Sequence, residues 1–175
     1  MFPVLITNRL RLTSLEDTDV ESVFFLRSNE EVIRYIRKEP CKGIQEAYEH
    51  IQLLKRKQQE NESTNWAIRE KENAEMIGGI CLWNFSDDRK TAEVGYDLKP
   101  SYHRKGLMSE ALDAVIQYGF SEIYLDEIEA FTHRNNEASK SLLLKHGFVL
   151  NPERTDDGFP DNQIFELKRD KYKTN

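Results

Sequence analysis

No apolar run in this chain approaches the roughly 18 to 20 residues needed to span a bilayer. The opening stretch MFPVLITNRL lacks a basic start, a long apolar segment and a small-residue cleavage site, so it is not expected to be a secretion signal. Cysteine is scarce. Cys41 and Cys81 stand at no ligand-like spacing, and the four histidines are scattered, so no metal site is expected. A reduced, cytoplasmic setting with both thiols buried and inert is the simplest expectation. An excess of positive charge is also missing: 25 Lys and Arg against 31 Asp and Glu leave a net charge of −6. That balance argues against a general nucleic-acid binder and suits a cationic or amine substrate. Neither an internal repeat nor a long linker is visible, and the 175 residues suit one domain, 1–175, with a core of useful size.

What is present is a mixed pattern of helices and strands. VLITNRLRLTSL alternates at Leu10, Leu12 and Leu15 and reads as a first strand. EDTDVESVFFLRS follows as a helix that Ser14 or Asp17 can cap, and NEEVIRYI continues as a short helix. GIQEAYEHIQLLKRKQQEN is a third helix, with Ile44, Ala47, Ile51 and Leu54 on one stripe. TNWAIRE, MIGGICLWNF and TAEVGYDLK, separated by polar turns, predict an antiparallel meander that Pro100 ends. Next come a helix burying Met108, Leu112, Val115 and Gly119, the strand EIEAFTH, and the helix NNEASKSLLLKHGF. Asn135 or Asn136 can cap that last helix, and Gly147 can end it with Phe148 packed back on Leu143. FVLNPERT and NQIFELKRD close the chain as strands. The order predicts an α/β or α+β sheet domain.

One stretch carries chemistry on its face. KPSYHRKGLMSEAL sets Arg104, Lys105 and Gly106 where a helix begins. The first amides of a helix lack partners inside it, and the helix dipole makes that end partly positive. Two bases and a glycine that lets the backbone come close complete a seat for a phosphate.

DLKPSYHRKGLMSEAL followed by NNEASKSLLLKHGF resembles the two coenzyme-binding motifs of the GNAT N-acetyltransferases. TNRLRL and AEVGYDLKP resemble the RimJ/RimL-type branch, which acetylates ribosomal-protein N-termini. The likeness runs from about Ile6 to Lys168. It implies a mixed, mostly antiparallel sheet of about seven strands flanked by about four helices, with a splayed central strand pair. It also implies that acetyl-CoA is the co-substrate, with its pantetheine arm in the gap between TAEVGYDLK and EIEAFTH. Asp97, Leu98 and Lys99 would then face the pantetheine. His103, Arg104, Lys105, Gly106, Leu107, Met108 and Ser109 would form the pyrophosphate loop. Asn136 would bond the pantetheine or nearby chain. In the family's loop pattern, His103 stands where Gln or Arg is usual and Met108 where a small residue is usual. Thr13 replaces an arginine often seen in the branch. A homodimer is compatible with the resemblance; nucleic-acid and membrane partners are not expected.

Amine attack on a thioester needs a neutral amine, a held oxyanion and, ideally, a proton for the leaving thiolate. The family implies direct attack in a ternary complex. Glu93, on the strand ending beside the thioester, is the candidate base, acting through a water; it could equally be a strand glutamate paired with a neighbour. The tyrosine that many family members use as acid is replaced by Leu143. Ser139, three residues after Asn136, is the branch's alternative acid, or else it only supports a helix cap. The backbone N–H near Leu98 is the expected oxyanion donor. Trp66, Trp83, Tyr96 and Phe85 could line an acceptor pocket, although strand aromatics more often form core. An α-amine titrates near 7.7–8.0 and a lysine near 10.4, so a modest base favours the α-amine of a protein N-terminus as acceptor. Polyamines and amino-sugars remain open as acceptors. A non-catalytic acyl-CoA-binding module is the reading from a different class.

Overall fold

The computed structural model describes residues 2–36 and 39–172. Among them, eight strands form one mixed sheet in the order β1-β2-β3-β4-β5-β6-β8-β7. The expected first strand is a hairpin of two, β1 (Leu5–Ile6) and β2 (Leu10–Ser14). The Thr7 amide bonds the Leu10 carbonyl at 3.0 Å and turns the chain there. β3 (Thr64–Glu70), β4 (Gly78–Trp83) and β5 (Thr91–Leu98) are the antiparallel meander read from the sequence. β6 (Glu127–His133) pairs with β5 in parallel, while β7 (Val149–Asn151) and β8 (Asn162–Lys168) complete the antiparallel far edge.

Five α-helices cover the sheet among the described residues. α1 (Val20–Ser28) follows a single 3₁₀ turn, Asp17–Asp19. Neither expected cap is used. Ser14 ends β2, Asp17 reaches across to Lys55 and Gln52, and Asp19 accepts the Glu16 amide at 2.8 Å. α2 (Glu30–Ile33) is capped by Asn29, whose side chain accepts the amides of Glu31 and Val32. α3 (Ile44–Gln59) buries Ala47 and Ile51 completely, while Ile44 at the start of the stripe stays exposed. α4 (Leu107–Ser121) buries Leu112, Val115 and Gly119 as read, plus Leu107, Ala111, Ile116 and Phe120. α5 (Glu137–Lys145) starts at the Asn136 cap and ends at Gly147, φ +85°, with the Phe148 amide bonded to the Leu143 carbonyl at 3.1 Å.

Two cores result, one on each side of the sheet. The larger joins Leu10, Leu12, Ile68, Leu82, Val94 and Ile128 to α4 and to Leu143 of α5. The smaller joins Leu15, Ala67 and Met76 to α1 and α3. The alternation of strand side chains separates the two faces. Trp66 is fully buried in the larger core, and its indole N–H donates to the Pro3 carbonyl at 2.7 Å. On the α1 face Arg69 grips Asp19 through both terminal nitrogens, at 2.8 and 2.7 Å, and Arg69 Nε donates to Thr13 Oγ1 at 3.0 Å. Breaking such a buried pair leaves an uncompensated charge, a cost of about 3–5 kcal/mol. Gly78 is required where β4 meets the end of β5: a Cβ there would stand 2.4 Å from the Asp97 carbonyl oxygen.

Candidate active site

The sheet opens at its centre. β5 and β6 pair only at Thr91↔Glu127, Ala92↔Ile128 and Glu93↔Glu129. Beyond that rung β5 continues against β4 to Leu98, and β6 continues against β8 to His133, so the two strands diverge. Lys99 gives its amide to the Ile77 carbonyl on the β4 side at 2.9 Å. Strand alternation turns the main-chain groups of Tyr96 and Leu98 to the opposite edge, toward the opening. Strand edge groups of this kind, apart from the Leu98 carbonyl that His103 occupies, can accept an extended ligand as an added strand.

α4 points its N-terminus at the same end of β5. Arg104 and Gly106 both have left-handed backbone, at φ 59° and 75°, so the loop curls tightly before the helix. Gly106 tolerates that conformation at no steric cost. Arg104 and Lys105 are exposed, and the Lys105 ammonium lies 5.1 Å over the Tyr102 ring. The side chains of Leu107 and Met108 pack on the larger core, so they offer a ligand only their amides. His103 is exposed as well, but its Nε2 donates to the Leu98 carbonyl at 2.8 Å. Ser109 contacts His146 and Lys145.

Of the remaining predicted residues, Lys99 is the one most displaced from its expected setting. Its ammonium bonds Ser22 Oγ at 3.0 Å and Glu75 at 2.5 Å, in a cavity of about 700 Å³ beside α1. Asp97 Oδ1 accepts the Gly79 amide at 2.9 Å; burial pushes its carboxyl up to about 6, against the opposing pull of that bond and of Arg27. Asn136 spends its side-chain oxygen on the Ser139 amide at 3.1 Å. Glu93 is half-buried on the last paired rung, opposite Trp83 on one side and Glu129 on the other, with Asn84 Nδ2 at 3.4 Å.

Ser139 meets a partner that the sequence did not assign to it. Its Oγ lies 2.8 Å from Tyr96 Oη, so a hydroxyl pair links β5 to α5. Burial pushes the Tyr96 phenol up to about 12, opposed only by the Ser139 bond, and it stays protonated at neutral pH. The four aromatics considered for an acceptor pocket divide. Trp66 and Phe85 belong to the larger core, Tyr96 lines the opening, and Trp83 is exposed beside Glu93. Cys41 is buried as expected, while Cys81 is half-buried.

Two features were invisible in the sequence. Arg9 of the first hairpin donates through Nη1 to the Lys105 carbonyl at 2.9 Å and pairs through Nε with Glu110. It thereby ties the curled loop to the start of β2. Glu127, Glu129 and Glu166 also converge, with ligand oxygens within 4.8 Å of one another. Burial and the neighbouring carboxylates Glu166 and Glu129 raise Glu127. Arg154 pairs with Glu129 and Glu166. Burial raises the Glu166 carboxyl, but the bonds from Arg154 and Asn151 and the charges of Arg154 and Lys168 together outweigh it and hold it low. Sheet register, rather than sequence spacing, assembles this group.

A splayed parallel pair beside a curled loop at a helix N-terminus matches known proteins. Residues 9–149 match the family model for the acetyltransferase (GNAT) domain. The chain belongs to the GNAT family and is an acetyltransferase that uses acetyl-CoA. It is 37% identical over 172 residues to the uncharacterized N-acetyltransferase YoaA of Bacillus subtilis (strain 168), covering 95% of this chain and 97% of that one. It is 32% identical over 174 residues to the uncharacterized N-acetyltransferase p20 of Bacillus licheniformis, covering 96% and 97%. In fold it is similar to RimL, a ribosomal L7/L12 alpha-N-protein acetyltransferase solved in complex with coenzyme A. That match has a TM-score of 0.81 at 18% identity and covers 95% of this chain and 98% of that one. Among the described residues no helix is long and apolar enough to cross a membrane.

Proposed function

We propose that the protein acetylates the N-terminal α-amine of a protein, as RimJ/RimL-type enzymes do, in the cytoplasm and by direct attack in a ternary complex. The observation that carries this is the division of polar groups between the two sides of the central opening. Glu93 lies on the sheet face opposite Ala92 and Val94, while Tyr96 and Ser139 meet on the α4 and α5 face. A thioester held in the opening meets a carboxylate from one side and a hydroxyl pair from the other.

Roles follow from that division. Three residues of strand, about 10 Å, separate Glu93 from Tyr96, so Glu93 takes the amine proton through a water. The amine nitrogen bonds to the thioester carbon, the oxyanion takes the Leu98 amide, and the C–S bond breaks. A phenol held near 12 is a poor source of a free proton for a thiolate, which is near 8.5 in a model thiol. Tyr96 and Ser139 therefore stabilise the departing sulfur mainly by hydrogen bonding. The amides from Arg104 to Ser109 hold the pyrophosphate, and the open edge of β5 at Tyr96 and Leu98 holds the pantetheine.

A small-amine acceptor is the second reading. Glu93, Glu129 and Glu166 lie in register across β5, β6 and β8 and make the acceptor face acidic. Thiol release from acetyl-CoA, measured with N-terminal peptides, polyamines and amino-sugars, separates the two. Turnover concentrated on peptides supports the α-amine. Turnover on polyamines alone overturns it.

A further inference from the structure

A chain of contacts lies behind the phosphate seat. Ser109 Oγ is 2.9 Å from His146 Nε2, and His146 Nδ1 is 2.8 Å from Asp113 Oδ1. Lys145 Nζ donates to the same Ser109 oxygen at 3.1 Å. The His146 side chain is 5% exposed and Asp113 is 51% exposed. The groups facing the ring come from α4 (Ser109 and Asp113) and from α5 (Lys145). Tyr172 of the C-terminal segment lies within the field of Asp113. The contacts run in the order of a Ser–His–Asp triad, but the hydroxyl stands at the phosphate seat rather than at the thioester.

Donor and acceptor arithmetic then links the ligand to a proton. A carboxylate only accepts, so His146 Nδ1 carries a hydrogen toward Asp113. With Nε2 bare, the Ser109 hydroxyl must donate to it. Lys145 already occupies one lone pair of that oxygen, and the hydroxyl itself has no hydrogen left to donate to an anion. With Nε2 protonated, the ring donates to Ser109 and the hydroxyl is free for a phosphate oxygen. Histidine exchanges these two forms near neutral pH.

We propose that His146, oriented by Asp113, is a proton-linked positioning residue for the coenzyme. Pyrophosphate binding turns the Ser109 O–H from His146 to a phosphate oxygen, and one proton from solvent binds at His146 Nε2. No heavy-atom bond forms or breaks. The proposal rests on the reading of Arg104–Ser109 as the pyrophosphate seat.

The test is calorimetric titration with coenzyme A at pH 6 to 8, in buffers of different ionisation enthalpy, on the wild type and His146→Gln. The wild type is expected to take up more protons per coenzyme than the variant, which cancels the ligand's own protons. Its Kd should rise up to about tenfold per pH unit on the alkaline side, the slope of one linked proton. In His146→Gln that component disappears, and KM for acetyl-CoA rises while kcat changes little. Equal proton uptake in both proteins overturns the proposal. If His146→Gln fails to fold by circular dichroism, Asp113→Asn, at a half-exposed position, carries the test. It is expected to weaken binding several-fold at pH 7 and to reduce the uptake; wild-type values there overturn the proposal. A wild type that binds no coenzyme A at any pH refutes the seat itself, and this proposal with it.

Discussion

Arg9 Nε lies 2.7 Å from Glu110 Oε2 and joins the first hairpin to the first turn of α4 across 101 residues of sequence. Thr7 Oγ1 and the Arg9 amide donate to the other oxygen of the same carboxylate, at 2.5 and 2.6 Å. Burial alone would raise the Glu110 carboxyl; these bonds outweigh it and hold it below its usual range. Because Arg9 also holds the Lys105 carbonyl, Arg9→Ala is expected to loosen the loop without touching the central opening. KM for acetyl-CoA should rise about tenfold, one bond to a charged group being worth roughly 1.5 kcal/mol, with kcat within about twofold. Steady-state kinetics at fixed acceptor check this. A fall confined to kcat would count against the clamp.

The Tyr96–Ser139 pair predicts non-additive losses. Tyr96→Phe and Ser139→Ala are each expected to lower kcat by about a hundredfold, the lower end for a positioned acid–base group. The double variant should be little worse than the worse single one, because the two hydroxyls act together. A double-mutant cycle on kcat reads the coupling. Fully additive effects would mean that the hydroxyls work apart.

Glu93→Gln removes the carboxylate that takes the amine proton. The expected result is a drop of about a hundredfold in kcat/KM and loss of the limb of the pH profile that belongs to this base. Added alkaline pH should restore part of the rate, since it neutralises the amine without help. An unchanged pH–rate profile would sink the role.

Asp97 makes a prediction about stability. Its folded carboxyl sits at about 6, above the ordinary value of 3.8. Between those two values the unfolded chain has released the proton and the folded chain keeps it. Stability from this group therefore falls as pH rises from about 4 to 6 and stays low above that. Two pKa units are worth up to about 3 kcal/mol. Asp97→Asn keeps an oxygen for the Gly79 amide and should raise Tm relative to wild type at pH 7 more than at pH 4.5. A Tm difference independent of pH would show that the charge is not penalised there.

The meander, α4 with its apolar face, and α5 with its Asn136 start and Gly147 stop were legible because each rests on local physics. Periods of 2 and 3.6, a cap and a left-handed glycine are properties of short windows of sequence. The start of α1 was misread for a related reason. Ser14 and Asp17 are both good caps locally, yet strand pairing holds the first and α3 draws away the second. His103 and Lys99 were assigned to the coenzyme from motif position, while their side chains turn to the Leu98 carbonyl and to Glu75.

By itself the sequence determined the order of elements, the curled basic loop before α4 and the kinship that names the co-substrate. All of these lie within stretches short enough for local conformational preference to act. Tertiary structure alone decided which polar groups meet: Tyr96 with Ser139, Arg9 with Glu110, and His146 with both Ser109 and Asp113. Those pairs lie 33 to 101 residues apart along the chain. Their meeting depends on sheet register and on how α4 and α5 pack, which the burial of two apolar faces dictates and no local spacing encodes.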